Sequence, residues 1–190
     1  MATSQVSIAN RALQRLCSRT IEAFSQDHPN ARSVSRAYEP VRRALIRRYR
    51  WSFAIKRASV AADSEETTWG GLNRFSFPND FLKLIRDKDQ PDIRHDWKIE
   101  GQYIVTADAA PLQFRYIADL TDPTTYDASF SEAFALALAA AICKEVTGSE
   151  READSVRAEF KEVIAEAKRD NAIEEDPQES VQDDWLNAML

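Results

Sequence analysis

A chain of 190 residues, 44% hydrophobic and 29% charged, can bury one sizeable core and remain well solvated. Four glycines and seven prolines exclude a loop-dominated chain, and the longest near-continuous apolar run, 133–143, falls far short of the ~20 residues a bilayer requires. The net charge of −6 conceals a polarity, because residues 1–60 carry +9, 61–130 carry −6 and 131–190 carry −9. A basic end and an acidic end on one chain imply a nucleic-acid partner or head-to-tail association between copies.

The first residues run straight into an amphipathic segment, so a soluble chain without a secretory leader is expected. A helix is predicted over 4–19, with Val6, Ala9, Leu13 and Leu16 on one face and Thr3 or Ser4 as its cap. Residues 21–24 read as extended or turn-like and 25–29 as a loop. A second helix is predicted over 30–50, with Val34, Tyr38, Val41 and Leu45 as its apolar stripe. Arg32, Arg36, Arg43, Arg47 and Arg50 fall on the opposite side, and Pro40 should kink or interrupt the helix.

Residues 51–59 alternate as an extended segment, with Trp51, Phe53 and Ile55 on one side. Aromatic and β-branched residues then rise, with short strands expected at 81–85, 93–99 and around Leu112, Phe114 and Tyr116. Glu100-Gly101-Gln102, flanked by Trp97, Ile99, Tyr103 and Val105, is a hairpin signal. Ser129-Phe130-Ser131-Glu132 reads as a capping box opening a helix that is apolar on nearly all sides from Ala133 to Val146 and stops at Gly148. A second box, Ser149 with Glu152, opens a last helix carrying Ala153, Val156, Phe160, Val163 and Ala167. These two helices are expected to pair as a hairpin. The chain then ends in an acidic tail closed by Trp185, Leu186, Met189 and Leu190.

The expected fold is mainly α within the α+β class: a helical bundle with a small antiparallel β-rich insertion and an extended C-terminal tail. The helical body takes 1–60 and 123–173, the insertion 61–122, and the tail, 174–190, docks on a partner.

Chemistry is harder to find. The sequence has no Gly-rich phosphate loop, nucleophile elbow or zinc-protease motif. His28 and His95 stand alone in polar loops, and they show no metal-ligand spacing with Cys17 and Cys143, which read as small buried hydrophobes rather than a disulfide. The acidic run from Asp87 places Asp92 and Lys98 where a calcium loop needs Gly and Glu. No catalytic residue, cofactor or metal is therefore expected. The feature with functional content is the basic stretch 32–57, where nine Lys and Arg face the single acid Glu39. Such a stripe can lie on phosphates or pair with acidic segments of its own chain or another's, and pairing between proteins is the expectation.

The order of segments resembles the tail tubular protein A family of short-tailed phages. The stretches that carry the resemblance are Arg47-Arg48-Tyr49-Arg50-Trp51-Ser52-Phe53-Ala54, Phe77-Pro78-Asn79-Asp80-Phe81-Leu82 and Ile99-Glu100-Gly101-Gln102-Tyr103. Arg115-Tyr116-Ile117-Ala118-Asp119 follows, and Asp122-Pro123 then leads through Tyr126-Asp127 to Phe130-Ser131-Glu132-Ala133. The match spans 4–171 and rests on order and spacing, since none of these motifs is chemically diagnostic. The resemblance implies a virion protein of the neck, assembled in the host cytoplasm as a homo-oligomeric ring, usually of twelve copies. Such a ring would lie between the portal protein and the tail nozzle protein, with DNA passing through its lumen without sequence specificity. The wider group includes head-completion adaptors of long-tailed phages. Arg36, Arg43, Arg47 and Arg50, with Trp185, Leu186, Met189 and Leu190, are the expected subunit or portal interface. The alternative is a DNA-binding accessory or regulatory protein using the Arg-rich helix 30–50.

Overall fold

The computed structural model describes residues 3–63, 72–85 and 97–174. Helix α1, Gln5–Arg15, opens on a reciprocal cap: Ser4 Oγ accepts from the Ser7 amide at 3.1 Å and Ser7 Oγ from the Ser4 amide at 2.9 Å. It ends four residues before the predicted Arg19. Cys17 takes a left-handed φ of 49°, its amide bonds to Gln14 O, and the Ser18 amide reaches back to Leu13 O at 2.9 Å. This is a Schellman turn with cysteine where glycine is usual. Cys17 is exposed, which corrects its expected burial, whereas Cys143 is buried and both thiols are free.

Helix α2, Pro29–Arg48, is capped by His28 Nδ1, which accepts from the Asn30 amide, with Pro29 in the first turn. Pro40 lies within it without interrupting it. The indole of Trp51 donates to the Leu45 carbonyl near the helix end, and the chain then makes a short 3₁₀ turn, Ser52–Ala54, where an extended segment was expected. Trp51, Phe53, Tyr126 and Phe130 pack there with ring centroids 5.0–6.0 Å apart.

Six strands follow: β1 (Ile55–Val60), β2 (Asn73–Ser76), β3 (Phe81–Leu84), β4 (Lys98–Glu100), β5 (Tyr103–Thr106) and β6 (Leu112–Ala118). They form two antiparallel sheets rather than one, in the orders β1-β6-β3 and β2-β5-β4. The predicted hairpin joins β4 to β5, with Glu100 opposite Tyr103 and Gly101 at φ 61° in the two-residue turn. The predicted strand 93–99 lies mostly outside the described residues. Alternation along β6 separates the two cores: Leu112, Phe114, Tyr116 and Ala118 join Phe75, Leu84, Trp97 and Ile104 between the sheets. Ile117 turns the other way, with Leu82 and Ile85, onto the helices.

Helix α3, Ala128–Thr147, starts one residue before the predicted box, because Asp127 rather than Ser129 is its cap. It packs against α1, α2 and α4 (Glu150–Glu174) and buries residues on nearly every side, including Phe130, Phe134, Leu138 and Ile142. Gly148, at φ 71°, closes it, and Ser149 Oγ accepts from the Glu152 amide as expected. The α3–α4 pair is antiparallel, since Ser129 near the start of α3 bonds Asp170 near the end of α4 at 3.0 Å. Along α4 the buried residues are Ala153, Val156, Ile164, Ala167 and Asn171, with Ile164 taking the place expected of Val163. Together these elements make a mixed α+β fold. Among the described residues no helix is long and apolar enough to cross a membrane.

Candidate functional site

Helix α2 carries the basic stripe, and its arginines have three different fates. Arg42 follows Tyr38 by four residues and so falls on the buried face. Its side chain is 1% exposed. Nε and Nη2 donate to Glu39 Oε2 at 3.1 and 2.7 Å, Nη1 lies 2.6 Å from Asp119 Oδ1, and Nη1 also donates to the Leu120 carbonyl. Burial alone would pull the guanidinium down, but the bonds to Glu39 and Asp119 outweigh it and hold Arg42 above its ordinary value.

The second group is exposed and paired within the chain. Arg36 reaches Glu145 on α3 at 2.9 Å, and Arg43 reaches Asp119 at 3.0 Å, so Asp119 bridges two arginines of one helix. A hydroxyl bond from Ser33 and then the Arg36 guanidinium hold Glu145 below the usual carboxylate range. Arg32 pairs with Asp27, Arg11 with Glu132 and Arg15 with Glu159. Part of the +9 half is thus neutralised by acids of the same chain.

The third group collects at the end of α2. Arg47 donates to the carbonyl of Leu82, on edge strand β3, at 2.9 Å. Arg48 lies over the ring of Tyr49, which Lys168 also covers at 3.8 Å. Arg47 and Arg48, with Arg57 on β1, have no carboxylate partner among the described residues. The positive charge of Arg47 and Arg48, in the last turn of α2, sits where the helix carbonyls favour it. Arg50 follows, its carbonyl accepting from Asn171 Nδ2 at 2.8 Å while Asn171 Oδ1 accepts from the Ser52 amide at 2.8 Å. One side chain therefore ties the end of α4 to the turn after α2.

A second polar cluster holds the sheets to this junction. Asp80 takes Lys56 Nζ at 2.7 Å and the Tyr116 hydroxyl at 2.8 Å, and its carbonyl accepts from the Asp119 amide. Burial pushes the Asp80 carboxyl up, but the bonds from Lys56 and Tyr116 prevail and hold it below 3.8. Burial, and then Asp80, push Tyr116 up to about 12.

The structure thus brings Arg36, Arg43, Arg47 and Arg50 onto one helix and its end, with Arg36 paired to Glu145 and Arg43 to Asp119. Trp185, Leu186, Met189 and Leu190 lie outside the described residues, as do His95 and the acidic run from Asp87. Arg42 was legible as a basic residue but not as a buried one, although its step of four from Tyr38 carried that signal. Among the described residues no group of three or more His, Cys, Asp or Glu side chains is placed to hold a metal ion. No protein-family model and no curated protein matches this sequence.

Proposed function

We propose that this chain is a structural subunit of a phage head-to-tail adaptor ring, joining the portal to the tail nozzle with DNA passing through the lumen. The observation that supports it most is where the resembling stretches fall. Arg47–Phe53, Asp80–Leu82 and Arg115–Asp119 come from distant parts of the chain yet meet at one junction of arginine pairs, Asp80 and the Leu82 carbonyl. An element order of two helices, an antiparallel β-rich insertion and a helical hairpin fits the same reading. The body would be 1–60 with 123–173 and the insertion 61–122. In this reading the chain is a virion protein with no catalytic, cofactor or metal role.

Charge favours a heterologous contact between copies, since a two-fold contact would set basic end against basic end. A dense basic lumen is disfavoured. Twelve copies each holding one phosphate would give a salt slope of roughly −11, a clamp rather than a conduit. The arginines best suited to partners are Arg47 and Arg48, which have no carboxylate partner among the described residues, with Arg36 and Arg43 exchanging intrachain pairs for interchain ones. The tail residues Trp185, Leu186, Met189 and Leu190 would grip the portal or a neighbouring subunit.

The test is to mix the purified chain with portal rings and image the product. A ring of this chain on the portal is expected, and Arg36→Glu with Arg43→Glu and Arg47→Glu should impair it more than it lowers monomer melting. Deleting 176–190 should prevent attachment. The rival, a DNA-binding accessory or regulatory protein using helix 30–50, draws on Arg47, Arg48 and Arg57. Sequence-specific duplex binding by a monomer that ignores portals would favour it.

A further inference from the structure

A groove of about 590 Å³ opens between the end of α2, edge strand β3 and the β4–β5 turn. Its apolar wall includes Phe81, Leu84, Ile85 and Ile99, and Arg47 and Lys83 supply positive charge at its edge. Ile99 is 48% exposed, the one large hydrophobic side chain so exposed among the described residues. Neither Arg47 nor Lys83 has a carboxylate partner among those residues. The site therefore asks for an extended segment with apolar side chains and negative charge.

The chain carries such a segment. Residues 175–190 contain five Asp and Glu, no Lys or Arg, and end in Trp185-Leu186-Asn187-Ala188-Met189-Leu190. Its origin is also in the right place. Asn171, three residues before the end of α4, is fastened to the backbone of Arg50 and Ser52, and Arg50 itself lines the groove. The stretch from 175 to Trp185 can extend to at most ~36 Å, ample for a groove that begins beside its root. A tethered segment acts at an effective concentration near the millimolar range, which favours the chain's own tail over a second copy's.

We propose that in the free chain the C-terminal segment 175–190 lies in this groove of its own molecule, with Trp185 and Leu186 against Ile99 and the apolar wall and its acids facing Arg47 and Lys83. This goes beyond the adaptor reading: it stands whether or not the chain forms a ring. If the ring reading also holds, assembly must release these same residues to the portal.

Hydrogen exchange on the full chain tests it. The native chain is compared with Trp185→Ser/Leu186→Ser and, separately, with Ile99→Glu. Amides of 81–85 and 99–101 are expected to exchange about tenfold or more faster in the tail variant, with the α3–α4 amides unchanged. In Ile99→Glu, amides of 181–190 should lose protection, which keeps the test valid if either variant perturbs the sheet locally. Native protection should be the same at low and high protein concentration. Equal exchange in native and tail-variant chains would overturn the proposal. Protection that grows with concentration would overturn it too, by assigning the groove to the tail of another copy.

Discussion

Replacing Arg42 by Met keeps most of the aliphatic volume and removes a guanidinium that is 1% exposed. The groups it leaves behind determine the cost. The Leu120 carbonyl retains the Tyr126 hydroxyl at 2.8 Å, Asp119 retains Arg43 at 3.0 Å, and the half-exposed Glu39 returns to water. Removing one partner of a buried pair costs ~3–5 kcal/mol when the other is stranded. Arg43 sits on Asp119 Oδ2, so the buried Oδ1 that faces Arg42 is left without a partner, and the expected loss is about 3 kcal/mol, the low end of that range. For a domain of this size each kcal/mol is worth ~2–4 °C of melting temperature, so Arg42→Met should melt roughly 6–12 °C lower. Thermal unfolding followed by circular dichroism measures this. Asp119→Ala completes a double-mutant cycle, for which a coupling above ~1 kcal/mol is expected. An Arg42→Met protein that melts with or above the native chain would refute the reasoning, and would mean that the buried cation is merely tolerated.

Phe134→Asp and Leu138→Asp each place a charge in the middle of α3 with no partner, at a cost of several kcal/mol. Both should abolish soluble expression, and two soluble variants with native melting would disprove the central placement of α3. At Cys17 the left-handed turn disfavours side chains, so Cys17→Val should lower stability by ~1 kcal/mol or more while Cys17→Gly leaves it level or slightly raised; denaturant titration reads both. Tyr116 ionises near 10 when unfolded but at about 12 in the fold, so its contribution is intact below pH 10 and lost between 10 and 12. Tyr116→Phe should flatten the stability profile over that window, although Tyr38 and Tyr126, also raised by burial, keep some of the slope. Asp80 is held below its ordinary value, so its contribution is present above pH 3.8 and lost as pH falls further; Asp80→Asn should flatten the acid limb there.

The helices were the readable part, for a physical reason. Ala133 to Val146 is apolar on nearly all sides, and only a helix packed by several neighbours accommodates that. The early end of α1 was not readable, because the residue that turns the chain is Cys17, and no glycine or asparagine announces it. The β region was half readable. Alternation at Leu112, Phe114 and Tyr116 marks one buried face, but Tyr116-Ile117-Ala118 is buried in succession, as a strand between two layers must be. That run was the available sign of a second layer. The charged site resisted for a different reason: a count of arginines cannot distinguish the one inside, Arg42, from those outside, because partners such as Asp119 and Glu145 lie far along the chain.

The antiparallel pairing of β1 with β6, Ile55 opposite Ile117, also orders events in time. Strand β6 is central to its sheet and is made after both its neighbours, so neither β1 nor β3 has a ladder to join until residue 118 has left the ribosome. The same is true of charge. Arg42 and Arg43 emerge well before Asp119, Arg36 before Glu145 and Arg15 before Glu159. A nascent or prematurely terminated chain that stops near residue 60 is therefore strongly cationic, at +9, and lacks a closed sheet, a combination that favours non-specific adhesion to nucleic acid. These arginines are neutralised only once Asp119, Glu145 and Glu159 have been made, so translation products that stop before Asp119 should partition with ribosomes and DNA while those that pass Glu159 do not.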